Sequence, residues 1–286
     1  MRKLLYLLLF LFVLGVAGIL RVGGSLAAPQ MHSVGEPPNF LSPEVVAIQG
    51  AEGTQIAGWF AAGEDGKPGI LLLHGVRSDR REMVGRAGFL LEAGYSVLLI
   101  DMQAHGETPG RNITFGFRES YDVHAAMSFL KARVNGRKVG VIGVSLGGAA
   151  SLLGESPVEA DAVILEAVYS SIENAVKNRI TLQLGSVGQY VTPLLTWQIQ
   201  PRLGIALEAL SPLSAIGRLN APVMIIAGAE DQLTQREESR RLFEEAGEPK
   251  QLWLIQGAKH QNLHAFAGEE YEKRVLQFFL RHLASA

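Results

Sequence analysis

A serine stands among small residues at the end of an apolar run in VIGVSLGG, residues 141–148. Gly143, Ser145 and Gly147 fit the spacing G-x-S-x-G. The run before them predicts a strand, and the pattern after them predicts a helix, which is the context this spacing requires. We therefore expect Ser145 to be a nucleophile at a sharp turn. The alternative is a glycine-rich turn without chemistry.

A serine hydroxyl needs a base to accept its proton, and the base needs an acid to orient it. In this arrangement the serine, the acid and the histidine follow one another along the chain. Three histidines come after Ser145, namely His260, His264 and His282. His260 is preferred because it follows the last predicted strand most closely. His264 is the rival, and His282 lies in the terminal helical pattern.

Two carboxylates are candidates for the acid. Asp231 follows the apolar run 223–228, which predicts the penultimate strand, and Glu166 ends the run 162–166. The penultimate position favours Asp231. Glu166 is then a structural carboxylate, and Glu230 is expected to face away.

Acyl transfer also needs backbone donors for the oxyanion that develops in the transition state. One expected donor is the N–H of Leu146, directly after the nucleophile. The second is expected in the loop after the apolar run GILLLHG, residues 69–75, where we choose the N–H of Val76. His74 is expected to brace that loop.

Apolar runs alternate with helical patterns from residue 44 onwards. The predicted strands are 45–49, 55–62, 69–74, 96–101, 138–144, 162–166, 223–228 and 252–256. The predicted helices are 80–93, 118–134, 146–153, 235–246 and 269–283. This alternation predicts an α/β fold with a mainly parallel sheet and helices on both faces, with the first two strands as a hairpin. Ligands bind such sheets at the carboxyl ends of the strands.

One long segment, residues 170–210, interrupts the alternation. It is apolar and mostly helical by pattern, and Pro193 and Pro201 divide it. We expect a small helical cap over the carboxyl edge of the sheet. Its aromatic and leucine side chains are most simply core residues; the alternative is that they line an acyl pocket.

The chain begins with a candidate membrane segment. Arg2 and Lys3 precede an uncharged apolar run over 4–20, and about 17–25 residues are enough to span a bilayer. Residues 1–28 are expected to be a retained signal anchor; the alternative is a signal peptide cleaved after SLAA, residues 25–28. The basic start places the catalytic domain on the extracytoplasmic side, membrane-anchored or exported after cleavage.

The proline-rich and polar segment 29–43 predicts a linker, which leaves 44–286 as the folded domain. The formal net charge of the chain is −2 without a block of like charges, so no nucleic-acid partner is expected. The chain has no cysteine, and neither metal-ligand spacing nor a phosphate-binding loop occurs, so no metal and no cofactor are expected. The oligomeric state stays open.

Several motifs in fixed order resemble the α/β-hydrolases, and in particular their serine aminopeptidase S33-like and BEM46-like branch. The matching stretches are LLLHGVRSD (71–79), DMQAHGETPG (101–110), GVSLGG (143–148), SPL (211–213), AGAEDQ (227–232) and GAKH (257–260). The resemblance implies a core of about eight strands, a Ser145-Asp231-His260 triad and an oxyanion hole from Val76 and Leu146. It favours His260 over His264, since the histidine of the family stands in a G-A-x-H context.

The chain departs from the family where D-x-R-G-H-G-x-S is common, because Gln103, Ala104 and Thr108 stand there. The departure affects inference of the substrate and leaves the triad intact. We expect a serine hydrolase that cleaves a small-molecule carboxylic ester, thioester or amide through an acyl-enzyme. The alternatives are an aminopeptidase-like serine peptidase and a non-catalytic binding module on the same fold.

Overall fold

The computed structural model describes residues 1–284. Residues 285 and 286, which end the domain predicted over 44–286, lie outside the described residues. The strands are β1 Gln30–Met31, β2 Glu44–Gln49, β3 Gln55–Ala61, β4 Gly69–Leu73, β5 Ser96–Ile100, β6 His105–Gly106, β7 Val139–Val144, β8 Ala162–Glu166, β9 Val223–Gly228 and β10 Lys250–Ile255. Each predicted strand has a counterpart, and the bounds differ only at the ends.

Eight strands form one sheet in the order β10-β9-β8-β7-β4-β5-β3-β2. Strands β4, β5, β7, β8, β9 and β10 run parallel, and the hairpin β2-β3 adds antiparallel to β5. The predicted α/β-hydrolase fold, with a mainly parallel sheet of eight strands, is thereby confirmed. The carboxyl ends of the parallel strands lie along one edge.

The helices are α1 Arg2–Leu26, α2 Val84–Glu92, α3 Glu119–Arg133, α4 Leu146–Leu152, α5 Ile172–Leu184, α6 Gly188–Thr196, α7 Ile199–Leu203, α8 Pro212–Ile216, α9 Arg236–Glu245, α10 Leu263–Ala267 and α11 Glu269–Leu283. The helix predicted over 80–93 begins with a turn of 3₁₀ helix, Arg80–Met83, before α2. Asp79 caps that turn by accepting the N–H of Arg81 at 2.9 Å. Helices α5 to α7 form the segment between β8 and β9 that we call the cap.

Helices cover both faces of the sheet and divide the core in two. Ile70 and Leu72 of β4 belong to the core under α2 and α11, whereas Leu71 and Leu73 belong to the core under α3, α4 and α9. All four side chains are fully buried. This two-sided burial explains why the strand is continuously apolar, since successive side chains point to opposite faces.

Helix α1 has a mean hydropathy of 2.5 over its most apolar part, none of which is buried. Among residues 1–284 it is the one helix that is long and apolar enough to cross a membrane. Residues 29–43, for which the sequence predicts a linker, lie against the domain. There the N–H of Gln30 donates to the carbonyl of Ala104 at 2.8 Å, and the N–H of His32 donates to that of Gly106 at 2.8 Å.

A buried carboxyl lies in α3 beside Gln103, in the segment where the sequence departs from the D-x-R-G-H-G-x-S pattern. Asp122 is 3% exposed and accepts the N–H of Gln103 at 2.7 Å. Burial, together with the negative charge of Glu119, raises the pKa of Asp122 to about 7, although the hydrogen bond from Gln103 opposes the rise. The folded protein therefore holds a proton at Asp122 that the unfolded chain releases at lower pH.

The first prediction concerns the pH dependence of stability. Because the folded-state pKa of Asp122 lies above the value of about 3.9 for an unfolded chain, this group makes stability fall as the pH rises from about 4 to about 7. The melting temperature of the wild type should therefore fall between about pH 5 and about pH 8. We expect the fall to be smaller in Asp122→Asn by roughly 5 °C. Circular dichroism melts measure it, with the exposed Asp65→Asn as control. Identical pH profiles for wild type and Asp122→Asn would contradict it.

Candidate active site

Ser145 lies at the turn between β7 and α4 with φ 46° and ψ −103°. A residue with a side chain is rarely found there, and such strain costs on the order of 1–3 kcal/mol. The N–H of Ser145 donates to the carbonyl of Glu166 at 2.8 Å, which ties the turn to β8. A β carbon at Gly143 would lie 2.6 Å from a backbone nitrogen of α4, and one at Gly147 would lie 2.6 Å from the carbonyl oxygen of Leu73. The turn therefore needs both glycines.

A cavity of about 370 Å³ opens at Ser145 on the carboxyl edge of the sheet. Loops after β4, β7, β8, β9 and β10 contribute to its lining, and α5 of the cap supplies apolar side chains, among them Ile172, Val176 and Ile180. His260 lines the same cavity. The position agrees with the rule that ligands bind parallel sheets at the carboxyl ends of the strands.

The structure brings His260 and Asp231 into direct contact. Nδ1 of His260 lies 2.7 Å from Oδ2 of Asp231, whose side chain is fully buried. Oδ1 of Asp231 accepts the N–H groups of Leu233 at 2.8 Å and Thr234 at 2.9 Å. Burial works to raise the pKa of Asp231, but the hydrogen bonds and the charge of His260, with the bonds from Thr234, outweigh it and lower that pKa. The carboxylate is thus held ionised beside the ring.

The other two histidines lie elsewhere. Nε2 of His264 lies 2.8 Å from Oε1 of Glu272, and its ring contacts Phe89 and Tyr271 below the sheet edge. His282 contacts Phe278 in α11. Neither ring lines the cavity at Ser145, so the rival base predicted from sequence is absent from its lining.

Glu166, the rival acid, belongs to a buried ion pair. Its carboxylate accepts from Nε of Arg86 at 2.9 Å and from Nη2 at 2.6 Å, and the hydroxyl of Tyr271 donates to it as well. Both charged side chains are 1% exposed. Burial acts to lower the pKa of Arg86, but Glu166 and Tyr271 raise it overall. Arg86 thus occupies both oxygens of Glu166, and no histidine is hydrogen-bonded to them among residues 1–284.

The two expected oxyanion donors line the cavity together with Ser145. Leu146 is the first residue of α4, so its N–H has no acceptor within the helix. Val76 lies in the loop after β4, and hydrogen bonds of His74 fix this loop. Nδ1–H of His74 donates to the carbonyl of Gly75 at 2.7 Å, and its Nε2 accepts the N–H of Met102 at 3.1 Å. Burial lowers the pKa of His74, which suits this neutral form.

Thr234 contacts both Asp231 and His260, and no motif in the sequence indicates this role. Its hydroxyl donates to Oδ2 of Asp231 at 2.6 Å and lies 3.4 Å from Nδ1 of His260. An aspartate that accepts N–H groups two and three residues later forms a local turn that sequence can suggest.

The end of α1 also contributes to the cavity. Val22, Ser25 and Leu26 line it together with Ser145. No motif in the sequence indicates that approach.

The sequence is similar to known proteins over most of its length. The sequence model of the alpha/beta hydrolase family matches residues 70–274. The chain belongs to the alpha/beta hydrolase family. A relative in Bacillus subtilis, uncharacterized protein YqkD, is 25% identical over 251 residues, 86% of this chain and 82% of its own. Uncharacterized protein Rv2307c of Mycobacterium tuberculosis is 28% identical over 222 residues, 76% of this chain and 72% of its own.

Solved structures share the fold. The esterase Pf2001 of Pyrococcus furiosus superposes with a TM-score of 0.74 at 23% identity, covering 91% of this chain and 99% of the esterase. The alpha/beta hydrolase GrgF of Penicillium superposes with a TM-score of 0.68 at 21% identity, covering 85% of this chain and 99% of that protein. At these identities the likeness concerns the fold.

The second prediction tests the buried pair. We expect Glu166→Gln to lower the free energy of unfolding by about 3 kcal/mol or more, because it leaves the buried charge of Arg86 uncompensated. Glu237→Gln is the matched control: Glu237 pairs with Arg240 at 3.4 Å on the surface, so the change should stay below about 0.5 kcal/mol. Urea unfolding measures both. Equal losses would show that burial of the pair does not govern its contribution.

Proposed function

We propose that the protein is a serine hydrolase that cleaves a carboxylic ester or a related acyl bond. Ser145 is the nucleophile, His260 the general base and Asp231 the group that orients His260. The observation that carries this proposal is the 2.7 Å contact between His260 and the buried Asp231 at the cavity of Ser145. The family and the fold shared with an esterase support it.

The hydrogen bond to Asp231 fixes the proton of His260 on Nδ1 and leaves Nε2 to accept the proton of Ser145. The oxygen Oγ of Ser145 then attacks the acyl carbonyl, and His260 returns the proton to the leaving group. Water, activated by the same ring, cleaves the acyl-enzyme. The lowered pKa of Asp231 keeps it anionic while the ring carries a positive charge. Among residues 1–284 Ser145 Oγ has no hydrogen bond to His260, and such bonds tighten when substrate binds.

The N–H groups of Leu146 and Val76 stabilise the oxyanion in this proposal. Both belong to backbone that is fixed before substrate arrives, Leu146 by α4 and Val76 by the loop that His74 braces. Fixed donors stabilise the developing charge without reorganisation, which is the largest single contribution in many enzymes.

An ester is favoured over a peptide because apolar side chains of α5 face the cavity. A peptidase of the aminopeptidase type would need a group that binds a free amino terminus, and among residues 1–284 no aspartate or glutamate lines the cavity. Arginines also line the cavity, at Arg77 and Arg179, but the apolar side chains of α5 suit an acyl chain, since burial of each methylene contributes about 0.8 kcal/mol. The proposal therefore commits to an acyl ester with an apolar chain.

We further propose that residues 1–28 are a retained signal anchor and that the domain of residues 44–286, with its cap over 170–210, lies on the extracytoplasmic side. The length and hydropathy of α1 support an anchor. The basic residues Arg2 and Lys3 support a cytoplasmic N-terminus.

The third prediction tests the nucleophile. We expect a fluorophosphonate probe to label the wild type, and Ser145→Ala and His260→Ala to lose labelling, with hydrolysis of a short p-nitrophenyl ester falling roughly ten-thousandfold or more. Asp231→Asn should lower the rate strongly, because the ring loses its orientation. His264→Ala is the matched control and should keep the labelling. A folded wild type that is not labelled would overturn the proposal and favour a binding module on the same fold.

The fourth prediction concerns the anchor. We expect the full chain to stay with bacterial membranes after washing at high pH, because roughly 20 apolar residues hold a helix in a bilayer. A protease added outside intact spheroplasts should digest the domain. A soluble domain that begins at Pro29 would support the cleaved signal peptide instead. Intact mass of the purified protein identifies the N-terminus in either case.

A further inference from the structure

We infer that the end of α1 is a wall of the substrate cavity, and that the enzyme therefore takes an acyl ester from the lipid bilayer in which α1 lies. The inference rests on the proposed function and extends it to the class of substrate. Val22, Ser25 and Leu26 line the same cavity as Ser145 and His260. The helix that precedes the domain in sequence thus contributes to the site itself.

The end of α1 is fixed to the cap by side-chain hydrogen bonds. Nε2 of Gln198 donates to the carbonyl of Ile19 at 3.2 Å, and Nη2 of Arg202 donates to that of Leu20 at 2.7 Å. Gln198 is 2% exposed. A β carbon at Gly23 would lie 2.4 Å from Oε1 of Gln198. The backbone of α1 at Gly23 therefore packs directly against the amide of Gln198 in the cap.

The end of α1 is also tied to the loop of the proposed oxyanion hole. The guanidinium of Arg77, the residue after Val76, donates to the carbonyl of Ser25. Directly beyond, Ala27 is 5% exposed, and its carbonyl accepts the N–H of Ile113 at 2.9 Å. Cleavage after Ala28 would remove Ser25 and its neighbours from the cavity. The structure thus favours an active form that keeps its first 28 residues.

The length of the apolar run in α1 determines how the cavity lies relative to the bilayer. Residues 4–20 of α1 span about 26 Å at about 1.5 Å per residue, close to the bilayer hydrocarbon thickness of about 30 Å. Residues 22–26 follow at about 3–9 Å beyond the run. With the headgroups, a bilayer is about 40–45 Å thick, so these residues lie at the level of the headgroups. The ester carbonyls of acyl lipids lie at that boundary.

The cap presents apolar side chains next to α1. Helix α6 contacts α1, and Val187, Tyr190, Leu194 and Trp197 in and beside α6 are half exposed or more. The bilayer around α1 covers these apolar side chains, because they lie next to the apolar run of α1 that the bilayer surrounds. A lipid chain can then pass from the bilayer into the cavity along Val22 and Leu26.

Substitutions at Leu26 in the full chain test this inference. In vesicles of phosphatidylcholine, we expect Leu26→Trp to lower the ratio of rates on the p-nitrophenyl esters of palmitate and butyrate by about tenfold, in the range for a changed hydrophobic pocket. Leu26→Ala should shift the preference towards longer chains. Leu14→Trp changes an exposed position of the same helix and should leave the ratio unchanged.

The outcomes separate the inference from the proposed function. A wild type that hydrolyses butyrate, together with Leu26 variants whose ratio equals that of Leu14→Trp, would overturn the inference and leave the serine hydrolase standing. Fully active protein that begins at Pro29 would overturn it as well. Loss of labelling at Ser145 and of all ester hydrolysis in the wild type would instead overturn the proposed function.

Discussion

The backbone of Ser145 is the constraint on which the site depends. Its φ of 46° places a side chain in a conformation that L residues rarely adopt, so the surrounding structure has to hold it. Two glycines make room for it, and the hydrogen bond to the carbonyl of Glu166 ties it to the next strand. Ser145 and Leu146 at this turn both line the cavity, and the first N–H groups of α4 have no acceptor within the helix.

The strand that accepts this hydrogen bond, β8, also carries the carboxylate of Glu166, which is bound by an arginine and a tyrosine. Val144 pairs with Glu166 across β7 and β8, so the backbone of Glu166 lies beside the turn at Ser145. Arg86 and Tyr271 bind the carboxylate below the sheet edge, where it is 1% exposed. A carboxylate held by a buried arginine cannot orient a histidine as well. Asp231 follows the next strand; its Oδ1 accepts two backbone N–H groups, and its Oδ2 accepts from the Thr234 hydroxyl and contacts His260.

The alternation of elements, the mainly parallel sheet and the residues that meet at its edge could be predicted from sequence, because strand and helix periods are local and the order of the motifs is fixed. Contacts between distant positions could not. Glu166 meets Arg86 across 80 positions and Tyr271 across 105, and Gln198 meets Ile19 across 179. Such pairs depend on how layers pack, and no local pattern encodes them. The segment 29–43 illustrates the same limit, since its polar composition carries no sign of its pairing with the domain.

The hydropathy of α1 alone indicates an anchor, but its last residues also line the cavity at Ser145. An anchor needs only length and an apolar surface, and the run over 4–20 provides both. The residues just beyond it make further contacts, because Gly23 packs against the amide of Gln198 and the carbonyl of Ser25 accepts from Arg77. Those contacts concern only the end of α1 that lines the cavity. The end of α1 is therefore part of the cavity wall, whereas the most apolar part of the same helix is not buried against the domain.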